Sequence, residues 1–125
     1  MCGTIERILY VDDEQINLDV FKMAFRRKFD ILIADSGEKA LEILKNDPQV
    51  SFVISDVNMP QMDGYEFVNN VKSQNPEIPC LLVSGYEENE QSENAKKKGL
   101  IVDYLTKPYD SELLQKIVKN KSLKK

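Results

Sequence analysis

The chain has 125 residues, a net charge of −4 and no histidine. That length is one domain's worth, enough to bury roughly two-thirds of the unfolded surface, and 42% hydrophobic with 30% charged residues is the balance of an ordinary soluble globular chain. The missing histidine excludes histidine-based catalysis and histidine metal ligation, and the acidic balance without an aromatic-basic stripe argues against nucleic-acid binding.

A short N-terminal lead, residues 1–4, carries Cys2. The first strand is predicted over 5–11, where the apolar run Ile8-Leu9-Tyr10-Val11 ends in the paired acids Asp12-Asp13. Ile16, Val20, Met23, Ala24 and Phe25 then fall at helical spacing and mark an amphipathic helix. A second strand covers 30–34. The next helix begins near Asp35-Ser36 with Glu38 placed for a capping box, buries Ala40, Leu41 and Leu44, and ends at Asp47-Pro48. The third strand, 52–55, runs into Asp56 and then Val57-Asn58-Met59-Pro60-Gln61-Met62-Asp63-Gly64. Asp63 with Glu66 starts a third helix whose core face is Phe67, Val68 and Val71.

The fourth strand, 79–84, contains Cys80, expected as a buried small hydrophobe, and ends in Ser84-Gly85. From 87 to 98 a helix follows in which Ala95 is the only apolar residue. Helices in proteins are held mainly by an apolar face, so this one reads either as solvated surface or as a weakly anchored, movable element. The fifth strand, 101–105, leads to Thr106-Lys107-Pro108, and a last helix from near Asp110 buries Leu113, Leu114, Ile117 and Val118. Lys96-Lys97-Lys98 and the basic tail 119–125 read as solvated surface.

Five strand-like runs alternating with helical periodicity argue for an α/β fold, a parallel sheet with helices on both faces. There is no repeat, no disulfide framework, no signal peptide and no segment long enough to span a bilayer, so a single reduced cytoplasmic domain is expected.

Four of the runs carry acid, acid, hydroxyl and lysine at their C-terminal ends, the edge where open α/β sheets bind ligands. Two carboxylates about 4 Å apart repel by roughly 1 kcal/mol in water and roughly 4 at an effective dielectric near 20. Three together call for a cation, and carboxylate oxygens with water suit hard Mg2+. The metal neutralises an incoming phosphoryl donor and leaves Asp56 as nucleophile, while Lys107 offers a point charge and Ser84 a hydroxyl to phosphoryl oxygens. Taken singly, Ser84 reads as a strand-end turn serine and Asp12-Asp13 as helix N-caps.

The stretches 8–13, 53–64, 82–85 and 104–108, in this order, resemble the receiver domain of two-component response regulators, as in the single-domain chemotaxis regulator. The resemblance runs from about 7 to 118. It implies a flavodoxin-like (βα)5 domain over 1–125, a doubly wound five-stranded sheet of strand order 2-1-3-4-5. It further implies Asp56 as phosphoacceptor and Mg2+ (or Mn2+) on Asp12, Asp13, Asp56 and the backbone carbonyl of Asn58. Ser84 and Tyr104 would be switch residues, Asn58 and Tyr86 would tune dephosphorylation, and Lys107-Pro108 would be a cis peptide. A histidine kinase or phosphotransfer protein would be the donor. A downstream target or an attached output domain would read the state, on a surface made by the fourth helix, fifth strand and fifth helix, with homodimerisation among the implied outcomes. The chain would be a signalling phosphoacceptor that assists only its own phosphorylation and dephosphorylation, not an enzyme acting on other substrates.

Two features depart from the common pattern. Leu100-Ile101-Val102-Asp103 has one residue more than the usual segment before Tyr104. With Ser84-Gly85-Tyr86 and Lys107-Pro108-Tyr109-Asp110 it resembles receivers attached to sensor kinases or HD-type phosphodiesterases. Two rival readings remain. An aspartate-nucleophile phosphatase would usually have a second Asp where Asn58 stands, and an unphosphorylated pseudo-receiver would serve only as an interaction module.

Overall fold

Each apolar run forms a strand and each periodic stretch a helix in the structure, a computed structural model that describes residues 5–122. In chain order they are β1 (Arg7–Val11), α1 (Gln15–Phe25), β2 (Asp30–Ala34), α2 (Gly37–Asn46), β3 (Phe52–Asp56), α3 (Gly64–Gln74), β4 (Cys80–Ser84), α4 (Glu90–Lys97), β5 (Asp103–Thr106) and α5 (Ser111–Lys121). The strands pair in parallel in the order β2-β1-β3-β4-β5, the flavodoxin-like doubly wound arrangement. Winding reverses between β1 and β3, and Val11 pairs with Ser55 there, so Asp12 and Asp56 emerge as neighbours.

Strand side chains alternate between faces, and the sheet divides the interior in two. Leu9, Val11, Val53, Cys80, Leu82 and Tyr104 pack with α2, α3 and α4. Ile8, Tyr10, Phe52, Ile54, Leu81, Val83 and Leu105 pack with α1 and α5. Cys80 is fully buried, as expected, and burial pushes its thiol up to about 12.

Several local expectations are corrected. In α1 the residues facing the sheet are Leu18, Phe21 and Phe25, whereas Ile16, Val20, Met23 and Ala24 are exposed. The helix carries two apolar stripes, and the aromatic one prevails because each buried ring removes more area from water than Val or Ala. Phe21 stacks on Tyr10 with ring centroids 4.0 Å apart and continues to Phe25 and Phe29. In α5 the buried pair is Leu114 and Val118; Ile117 is half-buried and Leu113 exposed. Ser36 caps α2 by accepting from the Lys39 N–H, so Glu38 falls one position short of a capping box, and Leu41 is only half-buried.

α4 is shorter than expected, because Asn89 and Ser92 form a capping box that starts it at Glu90. It buries only Ser92 and Ala95. Lys96 is not merely solvated: its Nζ lies 2.7 Å from Glu88 and 3.8 Å from Asp103. Lys119 and Lys121 belong to α5, whereas the lead with Cys2 and residues 123–125 of the basic tail lie outside the described residues.

Candidate metal centre

The strand ends gather the predicted rim. Backbone bonds fix it: Asp12 N–H donates to Ala34, Val57 N–H to Val83, and Lys107 N–H to Ser84, at 3.2, 3.0 and 2.7 Å. After Asp56 the chain turns through Gln61, at φ 69°, and closes with the Gly64 N–H on the Val57 carbonyl at 2.8 Å. A Cβ on Gly64 would sit 2.6 Å from the Asp56 carbonyl oxygen and 2.8 Å from Val57 Cα. Glycine is therefore required where α3 begins against the end of β3.

Asp12, Asp13 and Asp56 each present an oxygen within 4.8 Å of the others. Asp12 is fully buried, Asp56 nearly so, and Asp13 is exposed. Three hard oxygen donors of like charge at this spacing fit a divalent cation such as Mg2+. Lys107 Nζ lies between two of them, 3.6 Å from Asp12 Oδ2 and 3.7 Å from Asp56 Oδ1. Burial holds the Asp56 carboxyl above its ordinary range; Lys107 opposes the shift, the Asp12 charge adds to it, and the Asn58 N–H lowers it again.

Ser84 is buried, and its Oγ accepts from the Tyr86 N–H at 3.1 Å and from Asn58 Nδ2 at 3.4 Å. The Lys107-Pro108 peptide is cis. Tyr104 lies inward, with its hydroxyl donating to the Tyr86 carbonyl at 2.7 Å. Tyr86 itself is 71% exposed. Its backbone N–H donates to Ser84 and its carbonyl accepts from Tyr104, while the ring stands in solvent.

In the sequence Tyr10 is one more residue of an apolar strand run. Its hydroxyl donates to Asp12 Oδ2 at 3.2 Å. Strand periodicity carried the signal, since residues two apart share a face. Tyr109 also feels Asp12: burial pushes its phenol up to about 12, with that negative charge adding to the effect.

A family model described as the response regulator receiver domain matches residues 8–119. The two-component response regulator ORR5 of Oryza sativa subsp. japonica is 35% identical over 109 residues, covering 85% of this chain and 81% of that protein. The transcriptional regulatory protein ZraR of Escherichia coli K12 is likewise 35% identical over 109 residues, covering 86% of this chain. The match takes in only 24% of ZraR. Among solved structures, the signal receiver domain of an HD domain-containing protein from Pseudomonas fluorescens Pf-5 superposes with a TM-score of 0.85 at 26% identity, covering 94% of each chain. Among the described residues, no helix is long and apolar enough to cross a membrane.

Proposed function

The chain belongs to the response regulator receiver family, and from that membership we propose that Asp56 is its phosphoacceptor. The observation that carries the reading is one nearly buried carboxylate set between two further carboxylates and a lysine. A bound Mg2+ (or Mn2+) would be held by Asp12, Asp13, Asp56 and the Asn58 carbonyl and would supply positive charge that offsets the carboxylates and the phosphoryl oxygens.

The chain's own residues do the rest. An Asp56 carboxylate oxygen attacks the phosphorus of a phosphohistidine on the donor protein. The O–P bond forms as the P–N bond breaks, and the imidazole leaves with the electron pair. Lys107, already 3.7 Å from that carboxylate, follows the added charge onto the phosphoryl group. Ser84 Oγ, now an acceptor from two N–H groups, still has its own proton to donate. That bond is worth about 1.5–3 kcal/mol, against the roughly 5.5 needed to turn an equilibrium from 1:99 to 99:1. Lys107 and the loop backbone supply the remainder. Ser84 reaches Tyr86 by its hydroxyl and Tyr104 through the Tyr86 carbonyl, so the change passes to α4, β5 and α5.

We read the chain as a single cytoplasmic receiver domain that signals rather than turns over substrates. Its donor is a histidine kinase or phosphotransfer protein, and its output is a downstream protein, an attached domain or a phosphorylation-dependent homodimer. Asn58 and Tyr86 tune the lifetime of the phosphoryl group. Intact-mass spectrometry after acetyl phosphate with Mg2+ tests this: wild type gains one phosphoryl group and Asp56→Asn gains none. Equal labelling of both would remove Asp56 from the role. Steady turnover of p-nitrophenyl phosphate would make the chain a phosphatase instead.

A further inference from the structure

Asp12 is a fully buried carboxylate whose two oxygens are held differently. Oδ1 accepts the Glu14 N–H at 3.0 Å. Oδ2 accepts the Tyr10 hydroxyl at 3.2 Å and lies 3.6 Å from Lys107 Nζ. We propose that Tyr10 is a positioning residue of the cation site: its buried hydroxyl, donated to Asp12 Oδ2, fixes the carboxylate in the orientation that a divalent cation meets. The proposal rests on reading Asp12, Asp13 and Asp56 as that site.

Two observations carry it. The Tyr10 ring is only 3% exposed and lies flat on Phe21, at an interplanar angle of 2°, so the hydroxyl has little freedom to point elsewhere. A buried hydroxyl needs a partner, and Asp12 is the one it has.

The two groups that face Oδ2 also differ in kind. Lys107 brings a positive charge that repels an arriving cation and is shared with Asp56. Tyr10 is neutral, so it orients the same oxygen without opposing the cation. Groups that orient a metal ligand from behind typically change metal affinity 10- to 100-fold when removed. A neutral hydrogen bond of 3.2 Å belongs at the lower end.

Tyr10→Phe deletes one oxygen and keeps the ring on Phe21. Isothermal calorimetry with Mg2+ alone, on wild type, Tyr10→Phe and Asp13→Asn, should show about tenfold weaker binding by Tyr10→Phe. Thermal unfolding in chelator reports whether the variant is otherwise intact. With acetyl phosphate, the Mg2+ concentration for half-maximal labelling of Tyr10→Phe should rise by the same factor, with the rate at saturating Mg2+ near wild type. Unchanged Mg2+ affinity, or a lowered saturating rate with unchanged half-saturation, overturns the role of Tyr10. If wild type binds no Mg2+, or Asp13→Asn binds it as tightly as wild type, the cation site itself has been misplaced.

Discussion

Replacing Asp56 by Asn will stabilise the metal-free protein. The ligating oxygens of Asp12, Asp13 and Asp56 lie within 4.8 Å of one another, and at an effective dielectric near 20 each such pair repels by roughly 3.5 kcal/mol. Lys107, 3.7 Å from Asp56, returns roughly 4.5 kcal/mol on the same scale. Water screens the exposed Asp13, so these charge terms nearly cancel, and the burial of the Asp56 carboxylate leaves a net penalty of about 1–2 kcal/mol on its charge. In chelator the variant should melt roughly 4–8 °C above wild type. Mg2+ at ten times its Kd stabilises wild type by about 1.4 kcal/mol, which closes much of the gap. The pH dependence has a definite sign. Burial raises the folded Asp56 carboxyl, so its proton contributes stability that is complete below the ordinary carboxylate value of about 3.9. That stability is lost as pH rises through the raised folded value. The advantage of Asn is therefore largest at neutral pH and shrinks on acidification. Scanning calorimetry across pH, with and without Mg2+, measures both effects. A variant that melts at or below wild type in chelator at neutral pH would refute the charge argument.

Lys107→Met should act in the opposite sense, destabilising the metal-free protein by about 1–2 kcal/mol because Asp12 and Asp56 lose their shared cation; urea unfolding gives the value. Gly64→Ala should cost about 1–3 kcal/mol by overpacking against the Asp56 carbonyl and should slow labelling of Asp56, both measurable on the same preparation. Asn89→Ala removes the cap of α4 and should cost about 1 kcal/mol, seen as faster amide exchange within α4 while α1 is unchanged. Tyr86→Glu should shorten the life of the phosphorylated state after donor removal; an unchanged lifetime would leave position 86 with its backbone bonds alone.

The strands and the rim are legible because four of the five apolar runs end in a residue whose chemistry is out of place in a core. Asp12, Asp56, Ser84 and Lys107 announced themselves in this way. Helix faces were harder to read. In α1, Ile16, Val20 and Met23 keep helical spacing as faithfully as Leu18, Phe21 and Phe25, and spacing alone cannot rank two stripes; the partner Tyr10, across the sheet interface, decides. The start of α4 turned on Asn89 and Ser92, a polar pair hidden in a wholly polar stretch. Tyr10 escaped notice because a tyrosine in a strand satisfies the apolar pattern and conceals a hydroxyl. The ion pairs of Lys96 are hidden from the sequence because its partners, Glu88 and Asp103, lie on either side of the helix.

The partition of the interior by the sheet has an evolutionary consequence. Neighbouring strand residues such as Leu82 and Val83 belong to opposite layers, so a substitution on one side leaves the packing of the other nearly untouched, and effects at well-separated sites add. The packing beneath α1 can therefore drift separately from that beneath α2 and α3, whereas a surface made of α4, β5 and α5 draws on both layers. What both must preserve is the row of strand ends that the two layers share.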